Sequence, residues 1–127
     1  MALRPGLNAV VAMVVTDDDT AVALHTGDVP VLATPRVARL AEEATVQAVA
    51  GELDDGTTTV GYRLQLDHLA PTAVGGQVHA EAILESVESR RLTFRVSVND
   101  GRGLVAAGKI TRVVVERSRF LDKVAGS

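Results

Sequence analysis

The sequence predicts an α+β domain in which an antiparallel sheet wraps one long helix. Three observations carry this. Only the stretch opening at Thr34-Pro35 repeats apolar residues at helical spacing over a long run. Nearly everything after Gly51 alternates in polarity or is rich in β-branched residues, and is cut by tight-turn sequences. One helix cannot cover the second face of a broad flat sheet, so curling the sheet around it is an economical arrangement. A dimer pairing two such sheets would extend it.

Taken in order, Val10 to Val15 is β-branched and reads as a strand. Asp17-Asp18-Asp19 is a turn, and Thr20 to Leu24 reads as a second short strand returning as a hairpin. His25 to Pro30 is a loop, punctuated by Gly27-Asp28 and Pro30. Thr34 can cap the first free amides of the helix, and Pro35 loses nothing by lacking an N–H there. Val37, Leu40, Ala41, Ala44 and Ala48 form its apolar stripe, and Gly51 with Asp54-Asp55-Gly56 ends it.

Val60 to Leu66 alternates, with Tyr62, Leu64 and Leu66 on one face and Arg63 and Gln65 on the other. Gly75-Gly76 breaks the chain before a run from Gln77 to Val87. Glu88-Ser89-Arg90 is a tight connection. Leu92, Phe94, Val96 and Val98 mark a half-buried strand, Asn99-Asp100-Gly101 a hairpin turn, and Leu104 to Val115 the last strand. No internal repeat or linker divides the chain, so residues 1–127 read as a single domain.

Composition excludes several function classes. The net charge of −3 lacks the basic footprint that nucleic-acid binding needs, and 2 % aromatic residues leave little for base stacking. The absence of Cys removes disulfides, thiolate metal sites and Cys nucleophiles, and is compatible with a reducing cytoplasm. The three His are scattered, without metal-ligand spacing. The apolar run Leu7–Val15 contains Asn8 and ends in acidic residues, so it does not read as a signal peptide. No stretch approaches the roughly 20 apolar residues of a membrane span.

The chain also resembles the hot-dog-fold thioesterases, and among them the fluoroacetyl-CoA thioesterase-like family. The resemblance runs from Pro5-Gly6-Leu7 through Val31-Leu32-Ala33-Thr34-Pro35 and Gly61 to His68. It continues through Val87-Glu88-Ser89-Arg90-Arg91-Leu92, Asn99-Asp100-Gly101 and Arg119-Phe120-Leu121-Asp122-Lys123-Val124. It implies an acyl-CoA thioester as substrate, with coenzyme A part of that substrate and no separate cofactor. It implies a homodimer, extendable to a dimer of dimers, with active sites between protomers. It also implies a catalytic set of Thr34, Glu42 and His68, assisted by the backbone amide of Gly61. Fluoroacetyl-specific members carry aromatic lid residues in the loop before Ala-Thr. The ungapped positions here are His25 and Asp28, so the acyl group is expected to differ.

Taken singly, the same residues have plainer accounts. A helix cap explains Thr34, a solvated helix face explains Glu42, and a hydrogen-bonded structural histidine explains His68. Eight helical residues (42 − 34 = 8) rise about 12 Å, so Thr34 and Glu42 cannot touch along one helix. Either a ligand lies between them or they come from different protomers. His68 would serve as base, and Glu42 would orient it or activate water. Thr34 would attack or position the attacking water. Arg112, Arg117, Arg119 and Lys123 on the C-terminal strand are either a solvated edge or, for Arg117 and Arg119, a landing site for CoA phosphates. Two other functions compete with hydrolysis: a non-catalytic acyl-CoA-binding or regulatory hot-dog dimer, and a hydratase. Thr34-Pro35 at the helix start weakens the hydratase, which would want an Asp/His-type pair there.

Overall fold

Apolar alternation along four consecutive strands dictates a sheet with one face to bury. The computed structural model, which describes residues 3–126, shows how this is done. The predicted boundaries at 1 and 127 lie outside the described residues. Strands β1 (Asn8–Val14), β2 (Thr57–His68), β3 (Gln77–Glu88), β4 (Arg91–Asp100) and β5 (Gly103–Glu116) form one antiparallel sheet in the order β1-β3-β4-β5-β2. Its two edges are therefore β1 and β2. The long helix α2 (Thr34–Val49) packs across the concave side. A short helix α1 (Ala21–Leu24) precedes it, and α3 (Arg117–Ala125) follows β5.

Helix α2 buries Val37, Leu40, Ala41, Ala44, Thr45, Ala48 and Val49, one face at the i, i+3, i+4 spacing. Against it lie Val78, Ala80, Ala82 and Leu84 of β3, Leu92, Phe94, Val96 and Val98 of β4, and Ala106 and Ile110 of β5. Ala41, Ala44 and Ala48 of α2 and Ala80 and Ala82 of β3 belong to this core, small side chains that allow a helix to approach a sheet closely. With so few aromatic residues, fully buried Phe94 is the largest piece of this core. No helix among the described residues is long and apolar enough to cross a membrane.

Four local expectations need correction. Residues 20–24 are not a strand. The Thr20 side chain accepts from the Ala23 amide and starts a one-turn helix, and β1 pairs with β3 instead. Thr34 is not the cap of α2. Ala33 holds that position without a side-chain bond, leaving the Thr34 hydroxyl free for another partner. Arg117, Arg119 and Lys123 stand on helix α3 rather than on a strand.

The fourth concerns β2. Gly61 pairs with Arg112 and Arg63 with Thr111, so Tyr62 is the extra residue of a β-bulge. Leu64, Leu66 and His68 stay opposite Ile110, Gly108 and Ala106, on the helix side. Tyr62 is thrown onto the outer face with Arg63 and is 53 % exposed. A register slip of one residue flips faces, and the simple alternation of the sequence concealed it.

Candidate active site

The last residue of β2 and the first residue of α2 meet. Thr34 Oγ1 lies 2.8 Å from His68 Nδ1, although the two are 34 positions apart. Two features place them. Pro35 fixes the entry of α2, and Ala33 N–H donates to the Asp19 carbonyl at 2.9 Å. Asp19 in turn accepts from Arg36 Nε at 3.0 Å, which pins the first turn of the helix. Burial raises the Asp19 pKa, but the Thr16 amide and hydroxyl and the Arg36 guanidinium outweigh it. The carboxyl is held below its ordinary 3.8.

His68 Nε2 is buried and has no hydrogen-bond partner among the described residues. Leaving a buried ring nitrogen unpaired costs about 1–3 kcal/mol. A purely structural histidine would avoid that cost. The Nδ1 contact admits both tautomers. Thr34 donating to Nδ1 makes the imidazole a base toward that hydroxyl, while Nδ1–H donating to Thr34 leaves Nε2 as acceptor. Around this pair lies a cavity of about 320 Å³, lined by Thr34, His68, Gly27, Val29, Val31 and Leu69 among others. His25 sits just before it in the left-handed conformation (φ 59°), closing α1.

Glu42 and Gly61 form a separate cluster. Glu42 Oε2 accepts from Arg112 Nη1 at 3.1 Å. A Cβ at Gly61 would stand 2.8 Å from the same Glu42 oxygen, so only glycine lets the carboxylate lie against the strand. Arg112 is 7 % exposed, and two further bonds hold it, Nε to Thr59 Oγ1 at 2.9 Å and Nη2 to the Thr59 carbonyl at 3.1 Å. Burial lowers the pKa of the Arg112 guanidinium and the Glu42 charge restores part of it; arginine remains charged throughout. Glu42 and Arg112 line a larger open cavity of about 770 Å³ with Val10, Val46, Arg39 and Gln47.

Thus one chain brings Thr34 to His68 and Glu42 to Gly61, but holds the two pairs apart. Gly61 and His68 are seven positions apart on β2, roughly 20 Å along the strand. Arg117 and Arg119 join neither pair. They follow β5 at the end of the sheet where Thr57 begins β2, and among the described residues Arg119 pairs with Glu116, at 3.6 Å. Sequence reasoning missed Arg112 as the partner of Glu42. The signal was present, since Ile110, Arg112 and Val114 share the inward parity of β5. Among the described residues no three His, Cys, Asp or Glu side chains gather as a metal site would need.

Comparison with known proteins then decides the family. The model of the fluoroacetyl-CoA-specific thioesterase family (FlK) matches residues 15–118. The chain belongs to this family. It is 38 % identical over 94 residues to the fluoroacetyl-CoA thioesterase of Streptantibioticus cattleyicolor, spanning 74 % of this chain and 68 % of that one. The solved structure of the fluoroacetyl-CoA thioesterase FlK superposes with a TM-score of 0.92 at 32 % identity, covering 100 % of this chain and 98 % of the other. Variants of that enzyme have been solved with fluoroacetate and CoA, and with acetyl-CoA. A thioesterase superfamily member from Thermus thermophilus superposes with a TM-score of 0.91 at 26 % identity, over 98 % of this chain and 92 % of that one. The fold of this FlK-family chain is the hot-dog fold.

Proposed function

We propose that this chain is an acyl-CoA thioester hydrolase, acting on a small or medium acyl group at a site shared between two protomers. Thr34 and His68 come from one protomer, Glu42 and Gly61 from the other. The observation that carries the reading is the Thr34–His68 contact of 2.8 Å, with the buried Nε2 of His68 left unpaired among the described residues. Family membership and the acyl-CoA complexes of the FlK enzyme support hydrolysis as the chemistry.

The division of the set supports the dimer. Glu42 and Gly61 cannot reach His68 within one chain, and β2 is a sheet edge with Tyr62 and Leu64 exposed. An unpaired edge of twelve residues is a template for a second copy. Antiparallel pairing of the two β2 edges would run the Gly61 end of one strand toward the end that carries the partner subunit's His68.

In that arrangement the Gly61 amide polarises the thioester carbonyl. His68 takes the proton from Thr34 or from water, and the Glu42 carboxylate, fixed by Arg112, charges or orients the attacking group. Arg117 and Arg119 lie at the end of β2 that carries Gly61, where they can meet CoA phosphates. The bound substrate brings its own coenzyme A and needs no separate cofactor. A cysteine-free chain acting on a CoA thioester suits a reducing cytoplasm. His25 and Asp28 stand where fluoroacetyl-specific members carry aromatic residues, so the acyl group here is expected to differ from fluoroacetyl.

The test is complementation. His68→Ala and Glu42→Gln are each expected to abolish thiol release from a panel of acyl-CoAs. Unfolded together and refolded as a mixture, they should regain about one quarter of wild-type activity, since half the dimers carry one intact site. No recovery on mixing would exclude the shared site. Wild-type protein that binds acyl-CoA and releases no thiol would exclude hydrolysis.

A further inference from the structure

A second group of chemically active side chains lies outside this site. The bulge at Gly61/Arg63 turns Tyr62 onto the outer face of the sheet. There its ring is bracketed by two guanidiniums, Arg63 at 5.6 Å and Arg91 at 4.9 Å from the ring centre. Neither arginine, nor neighbouring Arg90, pairs with a carboxylate among the described residues. Beside them a surface cavity of about 310 Å³ is lined by Glu88, Ser89, Arg90, Arg91 and Val113. Its rim carries two cations against the single Glu88 carboxylate.

Two guanidiniums against an exposed aromatic ring, with Arg90 in the neighbouring cavity, leave positive charge that the single Glu88 carboxylate does not balance. The same arrangement offers a flat stacking face for a base and arginine forks for phosphate. We propose that Tyr62, Arg63, Arg90 and Arg91 bind a phosphorylated adenosine, the terminal part of the CoA moiety. The inference rests on the acyl-CoA reading, and it gives that reading a second point of attachment.

Position supports it. Tyr62 follows Gly61 directly, but the two face opposite sides of β2. An extended pantetheine arm leaving Gly61 can round the sheet edge at Thr57–Val60, the part of β2 on the far side of Gly61 from His68. It then arrives on the outer face, where Val60 is bridged to Arg91 through Val113. The α3 arginines begin four residues beyond Val113 and add positive charge at this end of the sheet, where Glu116 pairs with Arg119. The purpose of the bulge is then plain. It presents Gly61 inward to the thioester and Tyr62 outward to the base.

The test compares an acyl-CoA with the N-acetylcysteamine thioester of the same acyl group, which lacks the nucleotide. In Arg91→Ala the ratio of KM for acyl-CoA to KM for the truncated thioester should rise roughly tenfold, the loss of one charged phosphate contact. Tyr62→Ala should raise it too, and Tyr62→Phe should leave it near wild type. An unchanged ratio in Arg91→Ala overturns the proposal while leaving hydrolysis intact. Calorimetry with 3′,5′-ADP gives a readout independent of turnover. Binding lost in Arg91→Ala supports the site even if no thioester is hydrolysed, in which case the hydrolase reading alone falls. Equal binding of ATP and 3′,5′-ADP would assign the patch to free nucleotides and overturn its link to CoA.

Discussion

Thr34 Oγ1 and His68 Nδ1 stand 2.8 Å apart, joining the first residue of α2 to the last residue of β2. Both sit at the ends of rigid elements, and the contact leaves Nε2 of the imidazole buried and without a partner among the described residues. Removing the hydroxyl should therefore affect chemistry more than stability. Thr34→Ala is expected to lower kcat by about 10²–10⁴-fold. Thr34→Ser should retain most activity. An acyl-enzyme trapped on Thr34 by rapid quench would assign it as nucleophile, and normal turnover in Thr34→Ala would exclude it from the reaction.

The Glu42–Arg112 pair yields a contrast between two variants. Glu42→Gln keeps an oxygen acceptor for Arg112 and should fold normally while losing activity. Glu42→Ala leaves a buried guanidinium without its counter-charge. Because the Glu42 side chain is 37 % exposed, the cost is discounted to about 1–2 kcal/mol, read as a lower urea midpoint. A urea midpoint of Glu42→Ala equal to that of the wild type would show that the pair contributes nothing to the fold.

Two glycines should behave differently. A methyl at Gly108 would overlap the Gln65 carbonyl and come within 2.9 Å of Leu66 Cα, both backbone positions that cannot turn away. Gly108→Ala is expected to cost at least about 2 kcal/mol. A methyl at Gly61 meets the end of a movable side chain, Glu42 Oε2. Gly61→Ala should therefore displace that carboxylate and reduce turnover, with a smaller change in the urea midpoint.

Acid should loosen the site from the helix end. The Asp19 carboxyl is held below its ordinary 3.8 in the folded state. A depressed folded pKa contributes stability above the unfolded value, and that contribution is lost as pH falls through the folded value. Below about pH 4 the Arg36 tether of α2 should weaken. Asp19→Asn should lower stability at neutral pH and make the acid limb of unfolding shallower. An acid limb identical to wild type would remove Asp19 from the account.

Much of this was legible in the chain itself. The apolar stripe from Val37 to Ala48, the alternation Leu92-Phe94-Val96-Val98 and the Thr34-Pro35 helix start follow from local periodicity and turn chemistry, which tertiary contacts did not override. Order and spacing of motifs likewise carried the family. The failures are local and have a common cause. Thr20 to Leu24 is β-branched enough to suggest a strand, but five residues hold too little information to resist capping by the Thr20 side chain. Asn99-Asp100-Gly101 marks the hairpin, yet Asp100 pairs with Gly103, which puts Gly101-Arg102 at its tip.

What only the tertiary structure decided is which groups meet. Sequence offered the Thr34 hydroxyl as a cap or as a reactive group; the fold gives the cap to Ala33 and the hydroxyl to His68. Sequence offered Arg112 as part of a solvated edge or of a phosphate landing site, whereas the inward parity of β5 buries it against Glu42. Tyr62 was placed with Leu64 and Leu66, and a single inserted residue moves it to the opposite face. Composition and periodicity determine elements and faces, since these depend on neighbours a few residues away. Contacts such as Thr34 with His68, or Glu42 with Gly61, depend on how the sheet closes over the helix, and no local pattern encodes that closure.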